Sequence, residues 1–322
     1  QGGVDMTDTQ NEVFKSPVNK IRLFEHGAPG SQNLKLTRKY YTEDMPDGRV
    51  KHIVQNITDP DIVPYIPDGI GNSTDRQRIP AVLIIPGGAF RRLVYNFEGE
   101  DVAKWLNSMG IAAFVLECRL PSDEHDNAED VPLIDAMRAM RVIRGRAQEF
   151  GIDEAKIGVM GFSAGGFMAA LLSTAYESDV YADYKYKDEY DKLSARPDFA
   201  VCSYPVISID DCIEAGKRYM SEEQVLERIS DSKAKILHKY NPDKLVRPDM
   251  PPVFICETDD DRTTLSENSV GFYMAARKAG VSAELHIFRT GGHGYGCGDD
   301  FAQTGEWKVL FTKWIKSIGI IS

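Results

Sequence analysis

The chain has 322 residues, a formal net charge of −11, 42% hydrophobic and 27% charged residues, a balance that fits one large globular α/β domain or two small ones. Its acidity, with no long Lys/Arg run, offers nucleic acid or anionic lipid no electrostatic attraction. No apolar stretch reaches the roughly 18 residues of a membrane span, and no charged start followed by an apolar run marks a signal peptide. Gln1-Gly2 opens the chain without an initiator Met and reads as an added remnant, so a cytoplasmic location and secretion after loss of a leader both stay open.

Residues 1–35 are polar and irregular and read as a loosely held N-terminal arm. Residues 36–322 read as a single domain. Short β-type pieces come first, at Leu36–Tyr41, Val50–Val54 and Ile62–Ile66, and Pro64 makes the last an edge strand. Pro67-Asp68-Gly69 and Gly71-Asn72-Ser73 mark a turn-rich loop over 67–79. From Ala81 the rhythm changes. Ala81–Ile85, between Pro80 and Pro86, is a continuous apolar run of strand length, as expected of a buried parallel strand. Helix spacing follows over 99–109, with Val102, Trp105, Leu106 and Met109 on one face and Gly110 as terminator.

The alternation then repeats. Strands are expected at Ile111–Leu116, Ile157–Met160, Phe199–Tyr204, Val253–Cys256 and Ala283–Phe288. Helices are expected over 131–149, 164–176, 266–279 and 304–318. The longer stretch 208–250, with helical pieces around 221–239, reads as a partial cap over the site. The fold class is α/β, a mostly parallel sheet covered on both faces and preceded by antiparallel edge strands. Of the five cysteines, Cys118, Cys202 and Cys256 sit in apolar runs as buried thiols, and the odd number and wide spacing argue against a disulfide framework or zinc site.

Gly161-Phe162-Ser163-Ala164-Gly165 carries the strongest chemical signal. The G-x-S-x-G pattern is short, but here a strand leads into it and an Ala-rich helix leaves it. Such a turn strains the serine and lifts its hydroxyl clear of the sheet, and a side chain at 161 or 165 would crowd it. A serine hydroxyl needs a base to act at neutral pH. His293, in the glycine-rich Thr290–Gly296 loop after the Ala283–Phe288 strand, is the candidate, and the other histidines are better explained without catalysis. The imidazole needs a carboxylate, and Glu257-Thr258-Asp259-Asp260-Asp261-Arg262 follows a late strand. Spacing does not choose among its three aspartates. That run lacks the central glycine and spaced oxygen ligands of an EF-hand, so no metal is expected. Pro86-Gly87-Gly88-Ala89-Phe90, after the first buried strand, can turn so that the N–H groups of Gly88 and Ala89, with that of Ala164, hold an oxyanion. Tyr95 and Phe97, in the following loop, and Phe90 are candidate substrate contacts, whereas Phe162 and Phe167 fit core packing equally well.

These blocks, together with Asp59–Pro67, Val115–Leu120 and Pro248–Pro252, resemble the esterase/lipase branch of the α/β-hydrolases. Within it the chain is most similar to bacterial acetyl-xylan-esterase-like carbohydrate-ester hydrolases, related to the hormone-sensitive-lipase-type carboxylesterases. The resemblance runs from about residue 59 to the C-terminus. Anchoring on Glu267-Asn268-Ser269, it selects Asp261 as the carboxylate. Val-Pro is common in that loop where this chain has Thr264-Leu265, and the oxyanion segment often ends in Gly where this chain has Ala89. The resemblance implies a serine carboxylesterase for short-chain acyl esters of small molecules, acetylated sugars or xylan among them, working through an acyl-enzyme without metal or organic cofactor. Two alternatives are a serine peptidase of the same fold, which usually carries a large extra domain, and a non-catalytic binding protein, which usually lacks part of the triad. Dimers are common in this type of enzyme, and the sequence reveals no interface.

Overall fold

A computed structural model describes residues 14–70, 78–230, 234–298 and 303–322. The early part of the arm and the expected Gly71-Asn72-Ser73 turn lie outside the described residues. In chain order the strands are β1 (Ile21–Arg22), β2 (Lys39–Asp44), β3 (Val50–Gln55), β4 (Asp61–Tyr65), β5 (Ile79–Ile85), β6 (Leu93–Val94), β7 (Ala112–Glu117), β8 (Ile152–Phe162), β9 (Ala200–Ser203), β10 (Val253–Thr258) and β11 (Ala283–Phe288). The helices are α1 (Asp101–Ser108), α2 (Val131–Gly145), α3 (Ala147–Phe150), α4 (Ala164–Ala175), α5 (Ile209–Tyr219), α6 (Glu222–Ser230), α7 (Ala234–Lys239), α8 (Ser266–Lys278) and α9 (Glu306–Ser317).

The main sheet has the order β1-β4-β7-β5-β8-β9-β10-β11. From β7 onward its neighbours are parallel, and β4 and β1 close one edge antiparallel. The fully apolar interiors of β7, β9 and β10 are buried along their whole length, as strands covered on both faces must be. α1 and α9 meet through Trp105, Trp307 and Phe311, while α2 packs against α4. Right-handed crossovers put these two groups on opposite faces. The chain leaves β5 toward β7 and leaves β8 toward β9, so the order reverses between adjacent β5 and β8. The carboxyl ends of two such strands splay their loops apart and open a crevice.

Several expectations shift. Pro80 lies inside β5 rather than bounding it, and the sheet tolerates it because the β5–β8 register slips between Ile79 and Ala81. Pro64 does stand at an open edge, since β1 reaches only Ile62 and Asp61 of β4. β2 and β3 join β6 in a separate three-stranded sheet rather than extending the main one. α5 is an element the sequence reading left unassigned; Ser208 caps it by accepting the Asp211 N–H at 3.1 Å.

The described part of the arm is bound, not loose. Leu23, Phe24 and Ala28 are buried in the core. The Arg138 Nε donates to the Leu23 carbonyl, and Arg119 donates to the Pro29 carbonyl and to Ser31 Oγ. Arg119 itself is fully buried against Asp135. At the end of β7 the buried Glu117 Oε2 accepts from Lys20, Arg38 and Tyr40 at 2.6, 2.7 and 2.8 Å.

Candidate active site

β8 ends at the serine. Ser163 has φ 53° and ψ −117°, a conformation an L-residue holds only under constraint. The constraint is close packing without side chains. A Cβ at Gly161 would lie 1.9 Å from the Gly165 carbonyl oxygen, and one at Gly165 would lie 1.9 Å from that of Ile85. The Ser163 N–H donates to the Ser203 carbonyl, which pins the turn to β9. α4 starts at Ala164, whose N–H, as the first of a helix, has no intrahelical acceptor and sits at the positive end of the helix dipole.

The loop after β11 carries His293 beside this turn. Gly291, Gly292 and Gly294 all take positive φ, so the chain doubles back within a few residues. His293 Nε2 is 2.8 Å from Ser163 Oγ, and its Nδ1 is 2.6 Å from Asp261 Oδ2. The other Asp261 oxygen accepts the N–H groups of Thr263 and Thr264 at 2.7 and 3.0 Å, and the Thr264 hydroxyl donates to Oδ2 at 3.0 Å. Burial pushes the Asp261 carboxyl up, but the bonds from His293 and the two backbone N–H groups outweigh it and hold it below the usual range. The neighbouring acids have other tasks. Asp260 accepts the Gly292 N–H at 2.8 Å and so braces the histidine loop, while Asp259 is exposed. Glu257 lies buried behind Asp261, and burial together with that negative neighbour pushes its pKa well up.

On the other side of the serine, the turn after β5 is left-handed over three residues: Gly88 at φ 139°, Ala89 at 56° and Phe90 at 60°. For Ala89 and Phe90 this costs about 1–2 kcal/mol each. A Cβ at Gly87 would stand 3.0 Å from the Ser163 Cβ, so the turn runs directly past that side chain. Among the described residues the Gly88 and Ala89 N–H groups have no acceptor. Between this turn and the start of α4 lies a narrow cleft with only about 10 Å³ of open interior, walled by Pro86, Phe90, Leu120, Pro121, Pro132 and Met168.

The three aromatic candidates part company. Phe90 lines that cleft, edge-on to Phe167. Phe97 is half-buried at the rim, where its carbonyl nearly touches Gly296 of the histidine loop. Tyr95 is withdrawn: it is 1% exposed, its hydroxyl meets that of Tyr65 at 3.1 Å, and its ring packs on Phe14. It lies just before a wide turn at Asn96–Glu100 that swings its ring away from the crevice. Phe162 and Phe167 are fully buried in the core.

Sequence reasoning passed over Thr264 as a contact, Tyr204 and Glu98. The Tyr204 ring stands edge-on to His293, with centroids 5.0 Å apart, and its hydroxyl donates to Glu98 Oε1 at 2.9 Å. Burial pushes the Glu98 pKa up, and the nearby His293 and the bonds from Tyr204 and Gly87 oppose that rise. An acid in the polar run Asn96–Glu100 reads as solvated, so nothing in the sequence pointed to it.

Residues 70–275 match the family described as BD-FAE. That span contains Ser163 and Asp261 and ends before His293. The chain is 31% identical over 240 residues, 74% of its length, to an acetylxylan esterase of Xylanibacter ruminicola, of which it covers 45%. It is 31% identical over 227 residues, 70% of its length, to endo-1,4-beta-xylanase B of Butyrivibrio fibrisolvens, of which it covers 34%. The chain thus spans less than half the length of these curated relatives. Among solved structures it is similar to an acetyl ester-xyloside bifunctional hydrolase from Caldicellulosiruptor lactoaceticus, with 34% identity, 94% of this chain and 97% of that one covered, and a TM-score of 0.69.

Proposed function

The chain belongs to the BD-FAE family and has the α/β-hydrolase fold, and on that premise we propose that it is a carboxylic ester hydrolase that removes short acyl groups, acetyl first, from xylan-derived sugars. Ser163 attacks the ester carbonyl while His293 Nε2 takes its proton. Asp261 stays ionised, fixes the Nδ1–H tautomer and stabilises the imidazolium. The N–H groups of Gly88, Ala89 and Ala164 receive the developing oxyanion, each worth roughly 3 kcal/mol of transition-state stabilisation. The alcohol leaves with the proton from His293. Water then attacks the acyl-enzyme with His293 again as base, and the carboxylic acid departs.

The observation that carries this reading is the unbroken chain from Asp261 through His293 to Ser163, at 2.6 and 2.8 Å, beside a turn with unengaged N–H groups. The short acyl group is supported by the Ala89 methyl in the turn and by the close walls of the cleft, where Phe90, Leu120, Pro121 and Met168 leave little open interior. The sugar side is supported by the names of the relatives. The end of α5 lies against the acid loop and α8, where Arg218 pairs with Glu267 at 2.9 Å and Arg262 stacks on Tyr219.

The test is hydrolysis of p-nitrophenyl acetate by the parent and by Ser163→Ala, followed by a series of acyl lengths and acetylated xylo-oligosaccharides. Turnover is expected in the parent only, with kcat/KM falling as the acyl chain lengthens and acetyl released from the oligosaccharide. Equal turnover by both proteins would refute Ser163 as nucleophile. A preference for octanoate over acetate would refute the short acyl site.

A further inference from the structure

Glu98 is a buried carboxyl beside the proposed machinery that the hydrolytic scheme leaves without a task. It sits in the wide turn Asn96–Glu100, closed by the Glu100 N–H donating to the Tyr95 carbonyl at 2.8 Å, which turns the Glu98 side chain inward. Its Oε2 accepts the Gly87 N–H at 2.8 Å, and its Oε1 accepts the Tyr204 hydroxyl at 2.9 Å. Gly87 makes that approach feasible, since a Cβ there would lie 2.7 Å from Oε2. Tyr204 is itself a junction. Its hydroxyl accepts the Gly296 N–H at 3.1 Å, its ring faces His293, and its backbone holds φ 36° directly after β9. One carboxyl group therefore joins the turn after β5, the end of β9 and the loop that carries His293.

The turn after β5 needs such a hold. Three consecutive positive φ values, two of them at residues with a Cβ, persist only where neighbours fix them. Glu98 grips the residue immediately before that stretch. At its far end the Gly88 carbonyl accepts the Arg91 and Arg92 N–H groups, and the Val94 N–H returns to the Gly87 carbonyl.

We propose that Glu98 is a positioning residue: through Gly87 and Tyr204 it locks the oxyanion turn and the His293 loop into one fixed relation. The proposal rests on the assignment of Gly88 and Ala89 as oxyanion donors. Donors that act on the transition state raise kcat and leave KM little changed. A turn released by loss of Glu98 misplaces them.

Glu98→Ala should therefore lower kcat on p-nitrophenyl acetate by about 10²-fold, the scale of one lost oxyanion donor, with KM nearly constant. Glu98→Gln should recover most of that loss, because its amide oxygen accepts from Gly87 and its NH₂ donates to the Tyr204 oxygen. Amide hydrogen exchange over residues 87–94 reads the same turn without any substrate, and it should quicken in Glu98→Ala and stay near parental in Glu98→Gln. An inactive parent would count against the proposed function, while the exchange measurement still decides on Glu98. Parental kcat or parental exchange in Glu98→Ala overturns the proposal, as does Glu98→Gln falling as far as Glu98→Ala. Should Glu98→Ala fail to fold, Tyr204→Phe removes one arm of the lock and keeps the ring. A fall in kcat at constant KM then supports the proposal, and parental kcat overturns it.

Discussion

Replacing His125 by Gln removes a titration that the fold suppresses. His125 is buried in the loop after β7, with Nδ1 3.0 Å from Ser31 Oγ. Arg119, which can only donate, reaches that same Oγ at 2.8 Å and leaves the Ser31 hydrogen free to point to His125 Nδ1. Charging the ring would place a second buried cation beside Arg119. Burial, and then the Arg119 charge, push the His125 pKa from 6.5 down to about 4. The gap of about 2.5 units corresponds to about 3 kcal/mol at ~1.4 kcal/mol per unit. The sign follows from proton uptake. Below pH 6.5 the unfolded chain takes a proton that the folded chain refuses until about pH 4, so stability falls across that window and the penalty is absent above it. Gln keeps an oxygen for the Ser31 hydroxyl and does not titrate. Urea unfolding of both proteins between pH 7 and pH 4 should show the variant gaining about 3 kcal/mol on the parent as pH falls. Parallel stability curves over that range would falsify the assignment of His125 as a suppressed base.

Two further outcomes follow from the site. In Asp261→Asn the amide oxygen must stay on the N–H groups of Thr263 and Thr264, so its NH₂ faces His293 Nδ1 and forces the proton onto Nε2, toward Ser163. A kcat loss of about 10⁴-fold with an unchanged melting temperature is expected, and steady-state kinetics with a thermal melt check it. Gly165→Ala places a methyl 1.9 Å from the Ile85 carbonyl oxygen and 2.8 Å from that of Pro86, both backbone atoms with no room to yield. Destabilisation of about 3 kcal/mol or more, read by denaturant titration, is expected even though Ala is the better helix former.

The sequence made legible what is local or periodic. The buried strands declare themselves as short apolar runs, and the Ser163 turn as glycines at the two positions where a Cβ would strike backbone. The meeting of His293 with Ser163 was readable from a glycine-rich loop after a late strand. Asp261 was not separable from Asp259 and Asp260 without the family resemblance, because loop geometry decides which of three adjacent carboxylates turns inward. Glu98, Tyr204 and Thr264 stayed hidden for a different reason. Glu98 and Tyr204 meet across 106 positions from different elements, and Thr264 turns to Asp261 only through the path of their shared loop. The arm was misread because its polar composition conceals what binds it: the buried side chains of Leu23, Phe24 and Ala28, and backbone carbonyls that take arginines from β7's end and α2.

That arm also sets where the protein can be shortened. Lys20 neutralises the buried Glu117, while Pro29 and Ser31 satisfy the buried Arg119. A cut at residue 35, the boundary its composition suggests, would leave Glu117 with Arg38 and Tyr40 alone and take two acceptors from Arg119, which keeps Asp135, so two interior charges would lose part of their pairing at once. The leading polar stretch thus completes the charge pairing at the sheet's edge, and a version cut at residue 35 should be less stable than one that starts ahead of Lys20.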